Sequence, residues 1–385
     1  MTRIMNTAIF TLELHTNYGG LLQAYALQKT LKEIMPEQYV CVIDRKKEWH
    51  RIPVWKLPLC LVKRSIKKVL GRQDVIFVER RKRKGWPIII QNIERFVQNY
   101  INRWEITSLQ ELNQNDIDCF VVGSDQVWRP SYGWQGRVED SFLSFAEEWQ
   151  VKRIAYAASF GTDEWEYTDL QTQKCSKLLQ KFDAVSVRES SGVELCEKYL
   201  KRSDVFHALD PTMLLDASGY KALFDKAETP ASDGNLLIYI LDKTEEKEKI
   251  AQSVSRNLKL HPFYVGVKTE SLKVPPEQRI YPSVESWLRG FYDAEFVVTD
   301  SFHGCVFSIL FKKPFIVYGN EKRGMSRFDS LLDLFGLKNR LIMGAVKEER
   351  IREIMEEQID YDHVYGILNR ERKKSKNFLR KALSE

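Results

Sequence analysis

Short runs dense in β-branched and aromatic residues alternate along this chain with longer stretches whose apolar residues recur at helical spacing. Thr7–Leu12 (TAIFTL) predicts a strand, and Gly20–Met35 a helix with Leu27, Leu31, Ile34 and Met35 on one side. Tyr39–Asp44, Asp118–Gly123, Arg153–Ser159, Ala184–Arg188 and Val205–Leu209 predict further strands. Ser191, with Glu194 three residues on, has the spacing of a capping box that opens a helix. A polar stretch over 216–235, ending in AETPASDGN, predicts a linker. The alternation then restarts: strand Leu236–Leu241, a charged helix over Thr244–Leu258, strand Pro262–Val267 and a helix around Val284–Tyr292. Strand Glu295–Thr299, a helix from about Val306, strand Phe315–Tyr318 and a helical stretch over 348–385 complete it. Apolar strands separated by helices imply parallel sheets covered on both faces. The predicted fold is α/β: two Rossmann-like doubly wound domains, at 1–215 and 236–345, facing a central cleft, with C-terminal helices over 346–385.

At 385 residues the chain is long enough for two cores. Its 43% hydrophobic and 29% charged residues exclude a disordered or collagen-like chain. No apolar run approaches the ~20 residues of a membrane span, and the N-terminus reads as a first strand, not a signal peptide. The six cysteines are scattered without CxxC pairing, a pattern that suits reduced thiols in a cytoplasmic protein. No Cys or His pair has zinc spacing, so a zinc site is not expected.

The net charge of +6 is unevenly distributed. From Trp49 to Lys84 the chain is aromatic and apolar, then basic, and this insertion interrupts the alternation. It suits either a solvated helix face or an interfacial segment on anionic lipid, with Trp and Leu inserted and Lys/Arg among the headgroups. Nucleic acid is disfavoured, because no recognition motif accompanies the charge.

In open α/β sheets, ligands bind beyond the carboxyl ends of strands, and four loops there are rich in polar residues. In the first, 15–20 (HTNYGG), Asn17, Gly19 and Gly20 precede a helix whose N-terminus can receive an anion or simply make a tight turn. It is not a dinucleotide fingerprint, and Asp44 only faintly echoes a ribose-binding acid. In the second, Ser124, Asp125 and Gln126 offer a carboxylate and an amide that suit a sugar, or a capping Asp. In the third, Arg188 suits a carboxylate or phosphate, with an ion pair to Glu189 or Asp210 as the competing account. The fourth, Asp300-Ser301-Phe302-His303-Gly304, places a histidine, a group that titrates near neutrality, at a strand-to-helix turn. Arg323 and Arg327 follow the next strand on the same rim.

These loops, in this order, resemble the polysaccharide pyruvyl transferase family from about Thr7 to about Leu337. The resemblance rests on NYGGLLQAYALQ (Asn17–Gln28), VVGSDQVWRP (Val121–Pro130), SVRESSG (Ser186–Gly192), LDPTMLL (Leu209–Leu215) and TDSFHGCVFSILFKKPFIV (Thr299–Val317). It implies a GT-B-like fold and transfer of the enolpyruvyl unit of phosphoenolpyruvate to a sugar, giving a pyruvate ketal and phosphate, with neither a metal nor a cofactor beyond the donor itself. Arg188 would hold the donor's carboxylate or phosphate, and His303 would protonate its methylene carbon. Asn17, Gly19 and Gly20 would line the cleft, and Asp125 would orient the acceptor hydroxyl or take its proton. Ser124, Gln126, Asp300 and Ser301 complete the expected substrate-binding set. Known members carry an arginine two residues before the histidine, where this chain has Ser301, so Arg323 or Arg327 would supply that charge. The acceptor would be a surface polysaccharide or a lipid-linked oligosaccharide, which places the protein in the cytoplasm or against the inner face of the membrane. The alternatives are a nucleotide-sugar-dependent GT-B glycosyltransferase and a non-catalytic glycan-binding assembly protein.

Overall fold

A computed structural model describes residues 6–46, 49, 54–71, 75–134, 136–319 and 324–384. Strands β1 (Asn6–Phe10), β2 (Tyr39–Arg45), β3 (Arg103–Ile106), β4 (Cys119–Val122), β5 (Lys152–Ala158), β6 (Ala184–Val187) and β7 (Val205–His207) form the first sheet. Their order is 3-2-1-4-5-6-7, all parallel. Strands β8 (Leu236–Tyr239), β9 (Pro262–Phe263), β10 (Phe296–Thr299), β11 (Phe315–Tyr318) and β12 (Leu341–Ile342) form the second, in the order 12-11-10-8-9, again parallel. Chain direction across the sheet reverses between β1 and β4 in one domain and between β8 and β10 in the other. Each reversal opens a crevice at the strands' carboxyl ends.

The helices are α1 (Tyr18–Ile34), α2 (Leu57–Val69), α3 (Val78–Ile89), α4 (Gln91–Tyr100), α5 (Asp169–Leu179), α6 (Ser190–Leu200) and α7 (Ala217–Lys226). In the second half they are α8 (Glu245–Leu258), α9 (Val284–Asp293), α10 (Phe302–Leu310), α11 (Ser326–Phe335), α12 (Glu348–Glu356) and α13 (Tyr361–Ser384). The predicted strands and helices appear in the predicted order; α5, α11 and β12 are additions that the pattern does not mark, and four further details differ. Helix α10 starts at Phe302, four residues before the expected point, and all nine of its residues are buried. A helix apolar all round has no amphipathic stripe to mark its start. Helix α6 starts at Ser190 after Glu189, and the Ser191 hydroxyl is buried without a hydrogen-bond partner, so the expected capping box does not form. The linker 216–235 is not open coil: α7 lies in it, with Tyr220 edge-on to Phe307 and Phe224 against Tyr292. The edge strand β3 has no apolar run to mark it, because it is half polar, with Arg103 bridging Glu94 and Glu105.

One apolar cluster runs through both domains, beside a further cluster within each. Tyr18, at the start of α1, stacks on Trp287 of α9 at 5.7 Å and donates to the Pro282 carbonyl at 2.8 Å. Fully burying such a side chain contributes about 1.5–3 kcal/mol. Helix α13 returns to the first domain, where Phe378 stacks on Phe206 at 5.2 Å and the Leu209 N–H donates to Ser375 Oγ at 3.1 Å. Insertion 49–84 contains α2 and the start of α3. Arg81 of α3 reaches the Val274 carbonyl at 3.4 Å, and Asn92 of α4 donates to the Tyr281 carbonyl at 2.9 Å, so this arm also touches the second domain.

Candidate active site

The loops after β1, β4, β6 and β10 converge where the two crevices meet. Arg188 follows β6 and is fully buried. Its Nη1 donates to Asp210 Oδ2 at 2.9 Å, and its Nη2 lies 3.4 Å from Asp125 Oδ1. The ion pair with Asp210 therefore forms, while Glu189 points elsewhere: its Oε1 accepts from Ser159 Oγ, Phe160 N and Gly161 N. Asp125 has φ of 66°, a left-handed conformation costly for a non-glycine residue. Its other oxygen accepts from Asn17 Nδ2 at 3.3 Å.

His303 stands in the first turn of α10, with Nε2 3.5 Å from Asp210 Oδ2. The ring packs against Gly19 of the other domain, where a Cβ would come within 2.0 Å of Nδ1. Only glycine permits that approach. Asp210 thus bridges Arg188 and His303, and its Oδ1 is fixed by the Thr212 N–H and hydroxyl at 2.9 and 2.6 Å. Phe302, the neighbour of His303, has the Arg188 guanidinium 4.8 Å from its ring centre and that of Arg327 at 5.5 Å. Such cation–π contacts hold the two cations near one ring.

Burial should raise both carboxyls of the cluster, but the surrounding cations prevail. Asp125 is held below its usual range by Arg188, His303 and Arg327, and Asp210 by His303 and Arg188. Arg327 shows the opposite balance: burial and the like charge of Arg188 lower it to about 10. Asp125, Glu189 and Tyr132 partly offset this. Arg188 moves the other way: Asp210, Asp125 and Glu189 outweigh its burial and raise it, so the two guanidiniums on one ring differ in how far carboxylates compensate them. Beside Tyr132, the residues Arg129–Tyr132 and Glu166 line an open recess of about 620 Å³.

Asn17, Gly19, Gly20, Asp125, Arg188, His303 and Arg327 are thereby brought together. The others have structural engagements. Ser124 Oγ donates to the Ala157 carbonyl, and its N–H reaches Gln23 Oε1. Gln126 Oε1 accepts from Arg129 Nη1 at 3.2 Å. Asp300 is turned toward the β8 loop, where it accepts from Leu241 N, Asp242 N and Lys247 Nζ at 2.6, 3.1 and 2.7 Å. Ser301 caps α10 by accepting from Gly304 N at 3.3 Å. Asp44 is tied to Leu14 N and Arg103. Arg323 lies outside the described residues. Phe302 has no role assigned from the sequence, and Asp210 only that of a competing ion-pair partner for Arg188, although an Asp-Pro step directly after a strand is a signal for a carboxylate held at a strand end.

A two-lobed α/β architecture with its polar cluster at both switch points defines the GT-B-like class. UDP-GlcNAc 2-epimerase from Neisseria meningitidis, solved bound to UDP-GlcNAc, superposes with a TM-score of 0.52 at 9% identity, covering 99% of each chain. Medicago truncatula UGT71G1, complexed with UDP-glucose, gives 0.48 at 11% identity, covering 96% of this chain and 94% of that one. Within the class, the family model for polysaccharide pyruvyl transferase matches residues 17–322, and the chain belongs to that family. No curated protein matches the sequence.

Proposed function

We propose that this transferase uses phosphoenolpyruvate as donor and a glycan hydroxyl pair as acceptor. The observation that carries the reading is the pair of buried arginines, Arg188 and Arg327, on one aromatic ring beside His303. A trianionic donor needs fixed positive charge, and Arg327 supplies from α11 the cation that family members place where this chain has Ser301. The donor's negative charge would offset the burial and the like charge that lower Arg327, so binding would favour that guanidinium in its charged form.

In the proposed reaction, protonated His303 gives its proton to the methylene carbon, turning it into a methyl and leaving a cationic centre at C2. A sugar hydroxyl adds there and loses its proton. The C2–O bond to phosphate then breaks, and a second hydroxyl adds with loss of its proton, closing the ketal. Phosphate leaves with the electron pair of the broken bond. Asp210, 3.5 Å from Nε2, orients the imidazole. Asp125 stays ionised and suits orientation of Arg188 and of an acceptor hydroxyl better than proton abstraction, because its depressed pKa makes it a weak base. The Arg129–Tyr132 recess is the place offered to the acceptor, a sugar of a polysaccharide or of a lipid-linked oligosaccharide.

Thermal unfolding tests the donor without knowledge of the acceptor. Phosphoenolpyruvate at ~100 times its dissociation constant should add about 2.7 kcal/mol of stability. Arg327→Met should abolish that gain, while His303→Ala should keep most of it and lose turnover. Stabilisation by UDP-, GDP- or CMP-type nucleotides and none by phosphoenolpyruvate would transfer the site to a glycosyltransferase.

A further inference from the structure

Helix α2 presents an apolar stripe that nothing among the described residues covers. Trp55, in the turn before it, is 77% exposed, and Leu59, Ile66 and Val69 are 74%, 54% and 88% exposed. With Val62 and Leu70, also exposed, these residues fall on one arc about 100° wide at helical periodicity. Lys56, Lys63 and Lys67, all exposed, line one border of the arc. The opposite side faces the protein: Arg64 donates through both Nη atoms to Glu79 at 2.7 Å, which ties α2 to α3. The first two turns of α3 then add exposed Arg80, Lys82, Arg83 and Lys84.

Residues 49–89 carry twelve Lys/Arg against two Asp/Glu, a net +10 in a chain of +6, so the rest of the molecule is slightly acidic. A second copy docked on this stripe would bring two such charges face to face. A nucleic acid would match the charge but offer no apolar phase to Trp55, Leu59, Ile66, Val69 and Leu70. A bilayer with anionic headgroups supplies both. We infer that α2 is a lipid-docking helix that lies in the interface of an anionic membrane, its apolar arc among the acyl chains and its lysines at the phosphates. The arm that carries it contacts the second domain through Arg81 and Asn92, so docking would hold the protein with both lobes tethered near the surface. The inference stands on α2 and α3 alone and is independent of the donor assignment.

Vesicle flotation with the full chain tests it. The protein should float with phosphatidylcholine–phosphatidylglycerol vesicles and stay behind with phosphatidylcholine alone. Ile66→Glu with Val69→Glu should abolish flotation and leave the melting temperature unchanged, because both side chains are exposed. Lys63→Glu with Lys67→Glu should reduce partitioning about twentyfold or more, at roughly fivefold for each basic residue lost. No flotation with the anionic vesicles overturns the inference. So does flotation that the Ile66/Val69 variant leaves intact but salt abolishes, since that is adsorption by charge alone. A concentration-dependent dimer that the same variant dissolves would reassign the stripe to self-association.

Discussion

The molecule concentrates positive charge in two places and treats it in opposite ways. Around Phe302, Arg188 and Arg327 are buried, and Arg188 is locked between two carboxylates. Along α2 and the first turns of α3 the cations stand in water, and the described carboxylate there, Glu79, is taken by Arg64. Buried cations cannot be removed without stranding their partners, whereas exposed ones can be deleted almost freely. The first arrangement suits a small anion held at a fixed geometry, the second a broad, deformable anionic surface.

The largest effect should come from breaking the buried half. Arg188→Met leaves Asp210 and Asp125 facing each other without their cation and should cost about 3–5 kcal/mol, read from urea denaturation. Asp210→Asn should also destabilise strongly and adds a pH signature. The Asp210 carboxyl titrates lower in the folded chain than in the unfolded one, so its contribution is full above about pH 4 and is lost as pH falls further. The variant should therefore lose less stability than the parent between neutral and strongly acidic pH; an unchanged acid limb would mean that Asp210 is not held as drawn. Next in size is Gly19→Ala, where the methyl group meets the His303 ring and should cost about 1–3 kcal/mol as overpacking. Turnover should fall more than donor binding, because His303 moves while Arg188 and Arg327 do not. The smallest effect belongs to the exposed half. Lys63→Ala with Lys67→Ala should change stability by no more than about 0.5 kcal/mol and leave the donor-induced melting shift as it was. A large loss there would show that α2 is packed, not presented.

The strand-and-helix alternation made the two-domain architecture readable, because each central strand is a compact apolar run buried on both faces. The polar residues at strand ends could also be found, since Arg188 and His303 stand beside apolar runs where nothing local explains them. What sequence order hides is the choice of partner. Asp125, Asp210 and Asp300 all follow strands, yet two converge on Arg188 and the third binds Lys247 across its own domain. That choice is made by the order of strands within each sheet, which sets which strand ends lie side by side, over separations of 63, 22 and 53 residues. The same limit hid the role of Gly19, whose contact with His303 joins opposite ends of the chain. The Ser191–Glu194 spacing misleads for a local reason: the helix is entered two residues earlier, from Glu189, whose side chain is drawn to the 159–161 loop.

The return of α13 to the first domain also governs the order of assembly during synthesis. The Leu209 N–H meets Ser375 Oγ across 166 positions of chain. At ~5–20 residues per second a ribosome needs roughly ten to thirty seconds to deliver that distance. Throughout that interval Phe206 lacks Phe378, and the β7 side of the first lobe remains uncovered while the entire second lobe is being made. The nascent chain therefore passes through a stage with one finished lobe and one unfinished flank, which is the stage at which a chaperone would find a surface to hold.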